Sequence, residues 1–268
     1  MSFLEEIIPE IRRSVGDPQY GADLPERPAV RPRPSLREAL LEAHDSGGLI
    51  VEYKRVSPGQ AEPVLPFRSV TAFVAATRSN ATAYSCLATL PRFRGSPGDV
   101  AEVARVVDRP VLFKDIVVDP RQVEVAARTG ASAVLLIARL TDHGIPVEEL
   151  ASFADEAHQL GLEVVLEFHH RSELSRTAGV AADVYGVNAR NLGTLAIDRS
   201  TAEATLEAAA SDGRRPLLGL SGVESAADAR RFWEHGADGI LVGSAVARSS
   251  DPAALLTTLG RPTSTRHE

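Results

Sequence analysis

The run Leu49-Ile50-Val51-Glu52-Tyr53-Lys54 is mostly apolar and closes on one ammonium group. Such a run reads as a strand buried on both faces, because a parallel strand covered by helices on one side and a core on the other has no polar face to offer. Pro110-Val111-Leu112-Phe113-Lys114 repeats the design. Further runs of this kind lie at 81–87, 133–137, 163–167, 184–187, 216–220 and 239–242, which makes eight with starts about 20 to 30 residues apart. Each gap has room for one helix and two loops, the rhythm of repeated βα units.

The gaps carry helix signals. Pro146 leads Val147, Leu150, Phe153, Ala154, Ala157 and Leu160 at spacings of three and four, with proline at the first turn and Gly161 as a stop. Ser225 and Asp228 have capping-box spacing ahead of Ala229, Phe232 and Trp233. Gly130 and Gly236 stand where helices end before strands. Eight such units predict an α/β fold, a (β/α)8 TIM barrel. An open doubly wound sheet is the alternative, disfavoured because no Gly-rich dinucleotide turn follows the first strand.

A length of 268 residues suits one barrel, so 1–268 reads as a single domain. Residues 1–48 precede the repeat. There Phe3, Leu4, Ile7, Ile8 and Ile11 form an apolar helical face, Pro25, Pro28, Pro32 and Pro34 make a stiff connector, and a second helix is predicted over 36–44. This is an N-terminal helical extension expected to pack on the barrel. The polar stretch 262–268 predicts a disordered tail.

The formal net charge of −7 argues against a nucleic-acid partner, since the pairs Arg12-Arg13, Arg214-Arg215 and Arg230-Arg231 are isolated and read as solvated. The first residues are acidic where a secretory signal is basic, and no apolar stretch reaches the roughly 18 residues of a membrane span. A cytoplasmic protein with no membrane partner is expected. Cys86 is the only cysteine, and the adjacent His169 and His170 are poorly spaced for shared ligation, so no metal is expected.

Lys54 and Lys114 are the only lysines among 29 basic residues, and each ends a predicted strand. Arginine holds its proton too tightly to act as an acid, whereas a partly buried lysine can be tuned to donate one. The bland alternative is that both extend along the strand ends into water. In a barrel the C-terminal strand ends converge, which would gather Glu52 and Lys54, Ser85 and Leu87, Lys114, Glu167, Asn188 with Arg190, Ser221-Gly222 and Gly243-Ser244 at one mouth. Ammonium groups, carboxylates, an amide and a guanidinium held together there would perturb one another's pKa values, as acid–base chemistry requires. The turns Ser221-Gly222-Val223 and Gly243-Ser244-Ala245-Val246 each precede a helix, and glycine, a hydroxyl and free N–H groups together imply a phosphate-bearing small-molecule ligand. Alone, either reads as a tight turn.

Glu52-Tyr53-Lys54-Arg55-Val56-Ser57-Pro58 resembles the E-x-K-x-x-S-P motif of the indole-3-glycerol phosphate synthase family. Matches continue in order through Ser85-Cys86-Leu87, Phe93-Arg94-Gly95-Ser96, Pro110 to Asp115, Glu167, Gly186-Val187-Asn188-Ala189-Arg190-Asn191-Leu192, Ser221-Gly222-Val223 and Leu241-Val242-Gly243-Ser244. The resemblance implies a carbon–carbon lyase of tryptophan biosynthesis. Its substrate, a carboxyphenylamino-deoxyribulose phosphate, undergoes ring closure with decarboxylation and dehydration and needs no cofactor. It further implies that Lys114 is the general acid, Glu167 the second acid–base group and Lys54 an anchor for substrate anions. Glu52 and Asn188 would orient these groups, with Arg190 behind them. Phe93 and Leu192 would line the anthranilate pocket, and Ser57, Ser221, Gly222, Gly243 and Ser244 would hold the phosphate.

The sequence departs from the family pattern at Leu220, where the family has glutamate, and more mildly at Gly59, Ala88-Thr89 and Ile116. Two alternatives stand beside the main reading. One is a diverged barrel enzyme acting on another phosphorylated substrate, and the other is a non-catalytic phosphate-binding paralogue.

Overall fold

A computed structural model of the chain describes residues 2–26, 33–56, 67 and 69–262. Strands β1 (Gly48–Tyr53), β2 (Ala83–Leu87), β3 (Val111–Lys114), β4 (Ala133–Ile137), β5 (Glu163–Phe168), β6 (Val184–Asn188), β7 (Leu217–Leu220) and β8 (Gly239–Val242) pair in chain order, all parallel. β8 returns to β1 through Val51↔Val242, so the sheet closes into the expected barrel. Closure leaves no strand edge to protect, and the side chains on both faces are buried, which is why the strands read as near-continuous apolar runs.

Before the barrel come α1 (Phe3–Gly16) and α2 (Leu36–Glu42). Around it stand α3 (Val70–Thr77), α4 (Pro97–Val106), α5 (Pro120–Thr129), α6 (Val147–Gln159), α7 (Ser172–Arg176), α8 (Arg199–Ser211), α9 (Ala226–Glu234), α10 (Ser244–Arg248) and α11 (Pro252–Leu259). A 3₁₀ turn, Ala138–Asp142, follows β4. Gly130 takes the left-handed C-cap of α5 at φ 83°, a conformation nearly free of cost only for glycine. Pro146 sits one residue earlier than predicted, as the N-cap of α6, and Ser225 caps α9 by accepting from the Asp228 N–H. Among the described residues, no helix is long and apolar enough to cross a membrane.

Apolar residues of α1 and α2 join the hydrophobic core. Helix α1 starts with a reciprocal capping box in which Ser2 N–H donates to Glu5 Oε2 at 2.7 Å, and it buries Leu4, Ile7, Ile8, Ile11 and Val15. Helix α2 ends at Glu42, short of the predicted residue 44, and its N-terminus is tied to the start of β5. The Glu163 carboxylate accepts from Leu36 N–H at 2.7 Å and Arg37 N–H at 3.0 Å, a favourable anion at the positive end of a helix. Of the connector prolines, Pro28 and Pro32 lie outside the described residues, as does the predicted tail beyond Pro262.

One expectation is corrected in part. Arg214 is largely buried, with its guanidinium over the rings of Phe168 and Tyr185 at 5.7 and 5.2 Å. Arg215 is exposed as expected, while bonding the buried Asp238 carboxylate at 2.8 Å. Asp238 also accepts from Leu217 N–H at 2.7 Å, at the start of β7.

Candidate active site

The C-terminal ends of the strands open into one pocket. It is lined by Glu52, Lys54, Phe93, Lys114, Glu167, Asn188, Arg190, Leu192, Ser221, Gly222, Gly243 and Ser244. All the described residues that the sequence placed at the mouth, apart from Ser85, are therefore brought together there, while Ser57 lies outside the described residues. Parallel register explains the convergence: Leu87 pairs with Lys114, Ile137 with Glu167 and Asn188 with Leu220, so residues far apart in sequence end at one level. Ser85 does not join them. It pairs with Glu52 but is fully buried, and Leu87 lines the pocket instead.

Glu52 is the centre of the charge cluster. Its Oε1 lies 2.9 Å from Lys54 Nζ and its Oε2 lies 3.2 Å from Lys114 Nζ, with the carboxylate 4% exposed. Two unit charges about 4 Å apart attract by ~4 kcal/mol at an effective dielectric near 20. Burial alone would push the Glu52 pKa up, but with two ammonium groups opposing it the carboxyl is held down at about 2. The same balance acts on Lys114 from the other side. Burial pulls its pKa down, Glu52 and Glu167 pull harder the other way, and the net shift is upward, so the group keeps its proton.

Glu167, 1% exposed, is raised by burial against the opposing effects of the Lys114 charge and a hydrogen bond from the Asn188 side chain. The Asn188 Oδ1 accepts from Arg190 N–H at 2.9 Å, and the Arg190 guanidinium donates to Leu195 O at 2.8 Å. These bonds fix the amide and leave its nitrogen to Glu167. The pocket thus holds a carboxylate kept ionised, an ammonium kept charged and a second carboxyl whose proton is held more firmly than in water. That set can deliver a proton to one atom and remove one from another.

The walls divide by chemistry. Phe3 of α1 meets Phe93 edge to face with ring centroids 5.9 Å apart, and both border the pocket along with Leu192. Arg92 clamps α1 in place through Glu6 at 2.9 Å and Glu10 at 2.7 Å, with its guanidinium 5.7 Å from the Phe3 ring centre. Sequence reasoning missed both Phe3 and Arg92 as parts of the mouth, because their partners are more than eighty residues away and no local pattern signals them. On the opposite wall Ser221 and Gly222 both adopt left-handed backbone, at φ 65° and 77°, and Gly222 O accepts from Arg199 at 3.1 Å. Leu220, 1% exposed, supplies an apolar patch beside them.

Fold and pocket define a barrel enzyme of acid–base chemistry, with its reactive groups at the strand ends where such barrels keep their active sites. The family model for indole-3-glycerol phosphate synthase matches residues 4–259. The indole-3-glycerol phosphate synthase of Micrococcus luteus is 36% identical over 261 residues, covering 94% of both chains, and that of a Nocardioides species is 33% identical over 257 residues, covering 94% of this chain and 95% of the other. This chain belongs to the indole-3-glycerol phosphate synthase family. Among solved structures, a thiamine phosphate pyrophosphorylase from Pyrococcus furiosus superposes with a TM-score of 0.55 at 18% identity, covering 81% of this chain and 95% of that one, a likeness of fold alone.

Proposed function

We propose that this chain carries out the reaction for which its family is named. Ring closure, decarboxylation and dehydration would convert the carboxyphenylamino-deoxyribulose phosphate to an indole glycerol phosphate. The observation that carries the reading is the Glu52 carboxylate bridging the ammonium groups of Lys54, at 2.9 Å, and Lys114, at 3.2 Å, in a pocket shared with Glu167.

In this reading the ring carbon bearing the carboxylate attacks the ketone carbon. A carbon–carbon bond forms and the ketone oxygen takes the proton of Lys114. The electron pair of the carboxylate bond then restores the aromatic ring as carbon dioxide leaves. Lys114, kept protonated by Glu52 and Glu167, is suited to that donation. Dehydration follows, in which the new hydroxyl departs as water after protonation and the ring methylene beside the nitrogen loses a proton, whose C–H electron pair forms the new carbon–carbon double bond. Lys114 and Glu167 divide those two transfers between them, with Asn188 orienting Glu167. Lys54 anchors the substrate's anionic groups, and Arg190 stands behind Asn188.

Phe93 and Leu192 offer the aromatic ring an apolar wall. Ser221, Gly222 and Ser244, with Gly243 and Ser57, form the phosphate site, supported by the left-handed turn at residues 221 and 222 and by Ser244 opening α10. The substrate is thus a phosphorylated small molecule, and we place the protein in the cytoplasm. The test is direct: incubation with the carboxyphenylamino substrate should generate indole absorbance and fluorescence, and a well-folded protein that forms no indole would refute the assignment.

A further inference from the structure

His169 stands immediately beyond β5, with its ring 5% exposed. Its Nε2 lies 3.5 Å from Glu167 Oε1, and neither ring nitrogen has a hydrogen-bond partner. Glu167 Oε2 is likewise without one. A buried polar ring left unpaired carries its full desolvation cost, so an apolar residue would be the better choice if only packing were at stake. The separation is just beyond the usual limit of about 3.2 Å for an N–H···O bond, and catalytic hydrogen bonds are often long before substrate arrives.

The backbone that carries the ring is held in place through its main-chain N–H. His169 N–H donates to Glu173 Oε2 at 2.7 Å, and the other Glu173 oxygen faces Arg139 at 3.6 Å. We propose that His169 is a positioning residue for Glu167, in which the neutral imidazole directs Nε2–H at the Glu167 carboxylate and stabilises its ionised form against the cost of burial. This rests on the proton-transfer role given to Glu167 above. The groups facing the ring are Glu167 on its own segment, Glu173 from α7, Arg139 from the 3₁₀ turn, Lys114 from β3 and the adjacent His170. Burial outweighs the nearby Glu173 carboxylate and, with the positive neighbours, holds the imidazole pKa down at about 4, so the ring is a neutral donor throughout the working range.

The test reads Glu167 itself. In protein labelled at the glutamate carboxyl carbons, the Glu167 resonance is assigned by its loss in Glu167→Gln and titrated by NMR in wild type, His169→Leu and His169→Gln. Leucine removes the donor, and glutamine restores an N–H near the position of Nε2. His169→Leu should raise the Glu167 midpoint by about one pH unit, a tenfold weaker ionisation, while His169→Gln stays near wild type. His169→Met replaces the leucine variant if that fails to fold. The acidic limb of the kcat profile should move by the same amount, with KM little changed. An unmoved midpoint in the donor-free variant, or an equal shift in the glutamine variant, overturns the proposal. A shifted midpoint in a protein that makes no indole would instead refute the synthase assignment and leave the positioning role intact.

Discussion

Gly243 owes its missing side chain to Glu52. A Cβ at position 243 would lie 2.8 Å from Glu52 Oε1, closer than real packing allows, and at the tight distances of 3.0 Å from Lys54 Nζ and 3.1 Å from Glu52 Cβ. Its φ of −131° is negative, so the left-handed region is not what calls for glycine there; the close approach of Glu52 is. The sequence reading took this glycine as room for an anion to approach. The carboxylate that bridges both lysines occupies that room, and β8 therefore shapes the charge cluster of β1.

Gly243→Ala should accordingly disturb chemistry more than stability. Overpacking of one methyl typically costs about 1–3 kcal/mol, and the carboxylate end can yield some of that by moving. Such a move breaks the bridge between Lys54 and Lys114, so kcat/KM should fall on the order of 10²-fold. Urea unfolding and steady-state kinetics on the same preparation check the contrast.

Lys114→Arg keeps the positive charge beside Glu52 but removes a proton that can be given up. Turnover should drop on the order of 10²-fold or more, while affinity for a phosphate-bearing ligand, followed by calorimetry, changes little. Turnover close to wild type would contradict the general-acid role.

Leu220→Glu addresses the sharpest departure from the family pattern. The leucine is buried against Gly186 and borders the pocket that contains Arg190 and Lys54. A glutamate there regains one charge-assisted hydrogen bond to substrate or to these cations, and kcat/KM on the family substrate should rise by roughly tenfold. A loss of activity with an unchanged thermal midpoint would instead mean that the apolar wall is tailored to a different ligand.

Acid stability should report the Glu52 bridge. The folded-state pKa, about 2, is below the ordinary 4.5 of an unfolded glutamate, so its contribution is present above pH ~4.5 and is lost as pH falls through 2. The difference in unfolding free energy between wild type and Glu52→Gln should therefore be larger at pH 6 than at pH 3, by an amount on the order of 2 kcal/mol. Asp115, whose pKa burial raises, acts in the opposite sense and is unaffected by the substitution, whereas Glu167 loses the upward push of the Glu52 charge, which trims the difference. A difference independent of pH would show that the bridge is not formed in solution.

The barrel was legible because its strands are buried on both faces. Burial on two sides leaves an apolar run with one charge at its end, and a regular spacing of such runs admits few topologies. Lys54, Lys114 and Glu167 were legible for the same reason, since a charge at the end of an apolar strand has one open direction, the mouth. Chain position alone could not say that Glu52 serves both lysines at once, that Gly243 leaves its space clear, or that Ser85 is fully buried while Leu87 lines the pocket. Nor could it bring Phe3 to Phe93. Those relations depend on register, twist and the seating of helices, which set distances of a few ångströms between residues that no local periodicity connects. Hydrophobic pattern selects the architecture through burial, and tertiary packing selects the chemistry through geometry.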